Sequence, residues 1–126
     1  MHRLAAPLLA LLLFACSQAG PATPPEGSAE REAIFAALSV GRDQSELTYV
    51  TSHFLVQGDW AWVTAAPQSK DGTQRYESES WLLRKTPQGW QVVARPCVEE
   101  GCDPAQELAK IRQANPEAPA GIFPAG

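Results

Sequence analysis

Three cysteines, one histidine beyond the first few residues and two closely spaced glutamates carry most of the chemistry this 126-residue chain could do. Cys16 closes the run Leu13-Phe14-Ala15-Cys16, which reads as a lipobox. In that reading a diacylglycerol alkylates the Cys16 thiol, a peptidase cuts just before it, and the modified cysteine becomes the N-terminus. Cys97 and Cys102 enclose Val-Glu-Glu-Gly. In an exported chain they are expected to form a disulfide, and so short a loop contributes about 2 kcal/mol by chain entropy. Two thiols with His53 as the sole mature histidine fall short of a zinc ligand set, and no C-x-x-C spacing points to redox exchange. His53 is the one candidate imidazole base. Glu77 and Glu79 share a strand face and are the candidate carboxylate pair. No phosphate loop, nucleophile elbow or Ser/His/Asp spacing is present, so no cofactor and no metal are expected.

The leader decides which of these groups meet. Met1-His2-Arg3 is a short positive start and residues 4–14 are apolar apart from Pro7. Eleven residues suit a signal sequence and fall short of the roughly 20 needed to span a bilayer. An ordinary secretory leader cut after Ala19, at Ser17-Gln18-Ala19, is the competing reading. Cysteine parity favours lipidation, because giving Cys16 to lipid leaves two thiols to pair. Ser17, rather than Asp, follows the cysteine, which points onward to the outer membrane in a diderm cell. The expected location is the bacterial envelope, lipid-anchored and facing the periplasm.

Removing the first 15 of 126 residues leaves 111, enough for one small domain with one core. Losing Arg3 takes the formal charge from −4 to −5. The remaining basic residues are scattered, which argues against nucleic acid as a partner. The expected division is 1–15 signal peptide, 16–27 flexible lipoprotein tether, 28–115 folded domain and 116–126 irregular tail. As an extended polyproline-like segment, residues 17–27 would reach roughly 30 Å at about 3.1 Å per residue.

Within the domain, Ser28 as N-cap, Glu30 and Glu32 in the first turns, and Ala33, Ile34, Ala37 and Leu38 at helical spacing predict a helix over 28–39. Strands are predicted over 47–56, 60–66, 74–85 and 90–95. Gly58-Asp59 is a tight-hairpin signal between the first two. Asp103-Pro104 with Gln106 predicts a second helix to about residue 113. The fold class is α+β: an N-terminal helix packed on a four-stranded antiparallel meander, with a short C-terminal helix.

The turn sets a register. Gln57 faces Trp60, Leu55 faces Trp62 and His53 faces Thr64. Phe54, Val56, Ala61, Val63 and Ala65 then share an apolar face, while Leu55, Trp60 and Trp62 share the opposite one with polar neighbours. A one-residue slip would exchange them. In the second hairpin Lys85 is expected opposite Trp90, Leu83 opposite Val92 and Trp81 opposite Ala94. The helix covers one face. The face bearing Leu55, Trp60 and Trp62 is the candidate binding surface, unless the C-terminal segment covers it.

Gly58-Asp59-Trp60-Ala61-Trp62-Val63, Trp81-Leu82-Leu83-Arg84, Gly89-Trp90-Gln91-Val92-Val93 and the ending from Ala118 to Pro124 resemble a group of uncharacterised small exported lipoproteins of the Gram-negative envelope. The two hairpins are also similar to cystatin-like and NTF2-like sheets. That resemblance implies a curved sheet against a helix, and its members span isomerases, dehydratases, ligand binders and interaction modules. With one short N-terminal helix a deep enclosed pocket is not implied. Three functions follow as expectations. The first is a non-enzymatic envelope module that binds a protein, a glycan or a small apolar ligand. The second is a small enzyme with His53, Glu77 or Glu79 as base. The third is an inhibitor of an envelope hydrolase that inserts the loop 68–73.

Overall fold

The computed structural model describes residues 19–42 and 47–125. Leu13, Phe14, Ala15 and the lipidation candidate Cys16 lie outside the described residues. The element order is α1 (Ala29–Leu38), β1 (Leu47–Gln57), β2 (Trp60–Ser69), β3 (Glu79–Thr86), β4 (Gly89–Ala94), α2 (Pro104–Ala114) and a 3₁₀ turn at Ala120–Ile122. The four strands form one antiparallel sheet in the order β1-β2-β3-β4.

Both helices start where their caps place them. The Ser28 hydroxyl accepts from the Arg31 N–H, and Asp103 accepts from the Gln106 N–H with Pro104 in the first turn. Of the stripe expected on α1, Ile34 and Leu38 are buried, while Ala33 is exposed and Phe35 takes part in its place. The helix ends at Ser39, whose hydroxyl donates to the Phe35 carbonyl at 2.9 Å and accepts from the Tyr49 hydroxyl at 2.8 Å.

The first hairpin has the expected register, with Gln57 opposite Trp60, Leu55 opposite Trp62 and His53 opposite Thr64. Gly58 has φ 60° and Asp59 is not in the positive-φ region, the type II′ pattern that suits a glycine first in the turn. Further along β1, Ser52 is an extra residue between Thr51 and His53. This bulge reverses the alternation, so Tyr49 and Phe54 point into the same core.

The second hairpin departs from expectation. Lys85 pairs Trp90 and Leu83 pairs Val92, but Val93 bulges and Ala94 pairs Leu82 rather than Trp81. Ala94 therefore turns to the Leu82 side of the sheet. Strand β3 begins at Glu79, not at residue 74. Residues 74–76 fold back on the end of β2 instead, through Ser69 N–H to the Gln74 carbonyl (2.8 Å) and Tyr76 N–H to the Pro67 carbonyl (2.9 Å).

Two cores result. One lies under α1 and holds Ile34, Leu38, Tyr49, Phe54, Val63, Trp81, Leu83 and Trp90. The other lies under α2 and the tail and holds Trp60, Trp62, Leu82, Ile111, Ile122 and Phe123. The tail is thus part of the folded body, with an ordered 3₁₀ turn inside the stretch expected to be irregular.

The tether expected over 16–27 is also shorter than its sequence implies. Ala22 exchanges two backbone bonds with Val56, at 2.9 and 2.8 Å, and the Thr23 hydroxyl donates to the Phe54 carbonyl at 2.6 Å. Arg31 reaches back to the Pro24 carbonyl at 3.1 Å while its guanidinium stacks over Phe35 and Phe54. The cause is that β1 is an edge strand. Its outward N–H and C=O groups need partners, and the segment before α1 supplies them.

Candidate functional site

Trp60 and Trp62 are covered rather than laid open on a free sheet face. They are 8% and 2% exposed, and Leu55 packs half-buried beside them. The Trp62 and Phe123 ring centroids are 5.4 Å apart. The Trp62 indole N–H donates to the Thr64 hydroxyl at 3.1 Å, and that hydroxyl bonds Ser80 at 2.8 Å. Arg84 lies over Trp60 and Arg112 over Phe123. The face expected to meet a ligand is a second core, because α2 and the tail bring enough apolar area to cover it.

His53 is spent on the same closure. Its Nε2 lies 2.7 Å from the Ile122 carbonyl. A carbonyl only accepts, so Nε2 carries the proton and the ring ties the tail to β1. Among the described residues every buried side-chain nitrogen or oxygen has a partner.

Glu77 and Glu79 separate in role. Glu77 is exposed. Glu79 is the hub of an ion-pair cluster, 2.8 Å from Arg42 Nη2 and 2.5 Å from Arg95 Nη2. Burial pushes its carboxyl up, but the Arg42 hydrogen bond and the charges of Arg42 and Arg95 outweigh that and hold it below its ordinary value. A carboxylate held ionised by two guanidiniums is a poor general base. The Glu79 bond also raises the Arg42 pKa.

Cys97 and Cys102 form the expected disulfide, with Cα atoms 5.9 Å apart. It joins the segment after β4 to the start of α2. A Glu107 carboxylate oxygen and both sulfurs lie within 4.8 Å of one another. With the sulfurs bonded to each other, that grouping offers a metal only one ordinary ligand.

The loop expected to enter a target is strongly pre-ordered. The Ser69 hydroxyl, the Thr73 N–H and the Thr73 hydroxyl all donate to Asp71 Oδ1, at 2.7, 3.0 and 2.8 Å. These bonds, the Ser69 one foremost, lower the Asp71 pKa to about 2. Beside it opens a cleft of about 520 Å³ bordered by Arg42, Tyr76, Glu77, Glu79 and Val98. Tyr76 and Val98 are 51% and 73% exposed. Sequence reasoning named the loop and the two glutamates at this end but missed the cleft between them and Val98. Its one signal was Val98, a large apolar residue inside a tight acidic loop.

A second cleft, of about 480 Å³, runs between the disulfide, the start of α2 and Pro124, with Trp62 and Ser80 at its floor. No described helix is long and apolar enough to cross a membrane. Compared with known proteins, the chain matches no family model, no curated protein and no solved structure.

Proposed function

We propose that the chain is an exported envelope lipoprotein, anchored through Cys16, that acts by binding rather than by catalysis. The observation that carries this reading is the partition of its three cysteines. Cys97 and Cys102 take each other, and the cysteine left over stands directly behind an apolar leader in Leu13-Phe14-Ala15-Cys16. The engagement of His53 by Ile122 and of Glu79 by two arginines supports a non-catalytic role. A helix followed by a four-stranded meander supports the cystatin-like or NTF2-like resemblance at the level of topology. The partner in this reading is an envelope protein or glycan that meets the end bearing Tyr76 and Val98. The mature protein lies on the periplasmic side of the outer membrane.

Two measurements test it. Intact-mass analysis of the envelope fraction should give a chain starting at Cys16 with diacylglycerol attached, and Cys16→Ser should release it. A mature chain that starts at Gly20 without lipid refutes the anchor. Crosslinked capture from native envelopes should retrieve a partner that is lost in a Tyr76→Ala, Val98→Asp variant.

The self-bonded loop around Asp71 favours a second reading, inhibition of an envelope hydrolase. A loop ordered before contact loses little entropy on entering a cleft. In that case Asp71→Ala, which unties the loop, weakens capture of the enzyme and relieves its inhibition.

A further inference from the structure

We propose that the domain stands on the bilayer in one orientation, with its β1–β2 and β3–β4 turns against the phospholipid headgroups and the Tyr76/Val98 end facing away. This rests on the lipid at Cys16 proposed above. The chain joins the body at Pro21, directly before the Ala22–Val56 bonds. There the N-terminal segment also meets the C-terminal one: a Cβ placed on Gly121 would lie 3.1 Å from Pro21 Cγ and 3.3 Å from Gln57 Oε1. The docking point is thus fixed beside the last residue of β1, at the Gly58-Asp59 end of the sheet. Lys85 N–H donates to the Asp59 carbonyl at 2.7 Å, which brings the Pro87-Gln88 turn to the same end.

Cys16 precedes Pro21 by five residues. At ~3.6 Å per residue the leash is at most about 18 Å long. A domain of this size has a radius of gyration of about 13 Å and is therefore roughly 30 Å across. A leash shorter than the body keeps the Pro21 end at the membrane. Had residues 21–24 been free, as the sequence alone implies, this constraint would be absent.

Charge agrees with this placement. Exposed charged groups toward the Pro21 end include Asp59, Arg84, Lys85 and Glu117, with Arg84 and Glu117 paired at 3.2 Å, and Arg112, which lies over Phe123. The opposite end carries Asp71 and Glu77 with Lys70 and Arg75 in the β2–β3 loop, and Glu99 and Glu100 in the disulfide loop, four acidic groups to two basic ones. The body is longer than the ~8 Å Debye length of physiological salt, so those carboxylates are screened from an anionic headgroup layer. The end that repels such a layer least is the end the leash delivers to it.

The test uses the full lipidated protein in vesicles of phosphatidylcholine and phosphatidylglycerol. Gln88→Cys and Thr73→Cys each provide one free thiol for a fluorophore, because Cys97 and Cys102 are consumed in their disulfide. With a nitroxide on the lipid headgroup, the probe at 88 should be quenched several-fold more than the probe at 73. A long Gly-Ser insert after Gly20 should bring the two toward parity. Equal quenching in protein that floats with the vesicles overturns the orientation, and a contrast that the insert leaves unchanged overturns the short leash as its cause; both leave the anchor standing. Protein that does not float with the vesicles overturns both.

Discussion

The two faces of the sheet are closed in different ways. Over one face lies α1, a capped helix that lays Ile34 and Leu38 onto Phe54, Val63, Trp81 and Leu83. Over the other, α2 contributes Ile111 and the half-buried Leu108, and the tail contributes Ile122 and Phe123. That second cover is assembled from separate pieces and is held by two fasteners, the Cys97–Cys102 disulfide and the bond from His53 to Ile122. The first cover brings Ile34, Leu38 and the half-buried Phe35 to its face on one continuous element. A face shared between a helix that fully buries only Ile111 and a coil needs specific ties, and residues that looked chemical have become those ties.

The contrast sets an order of mutational effects. Trp81→Ala, in the α1 core, should have the largest, about 3–5 kcal/mol in urea unfolding, because it empties a fully buried indole site. Ile122→Ala should lose about 2–5 kcal/mol, and hydrogen exchange should rise in α2 and the tail while α1 stays protected. If α1 exchanges equally fast, the two cores are one cooperative unit and the contrast fails. Joint Cys97→Ser and Cys102→Ser should cost about 2 kcal/mol, the worth of a short closed loop, and should also act first on α2.

His53→Ala should remove about 1 kcal/mol by deleting the bond to Ile122, with the same local exchange signature. The smallest effect belongs to Glu79→Gln, below about 1 kcal/mol because its two arginine partners are partly exposed. Its sign is set by linkage. The folded-state pKa of Glu79 lies below the ordinary 4.5, so its stabilisation is present above that pH and fades as pH falls through the folded value. Acid titration of stability should show this component in the native chain and lack it in Glu79→Gln. An identical acid profile for both would remove the ion-pair cluster from the account.

The features legible beforehand were those with a local cause. Ser28 and Asp103 cap their helices because a side-chain oxygen within three residues meets a free N–H. Gly58-Asp59 sets the first hairpin register because a two-residue turn leaves one pairing open. The Cys97–Cys102 bond follows from parity and proximity. The candidate site was read less well. Alternation placed Trp60 and Trp62 together on one face, but it carries no information about what lies above that face. The bulge at Val93 was invisible for a similar reason, since one extra residue costs little locally and is decided by which side of the sheet needs Ala94.

From the order of residues alone came the two helices, the meander of four strands, the first hairpin's pairing and the disulfide, because turns, caps and short loops are governed by groups a few positions apart. Only the assembled molecule decided that the tryptophans are covered, that His53 serves as a tie, that Glu79 is neutralised by Arg42 and Arg95, and that Pro21 to Pro24 belong to the sheet edge. Each of those outcomes joins groups distant along the chain or depends on a backbone edge left unpaired. Their energies exist only once the sheet has formed and offers a surface to compete for.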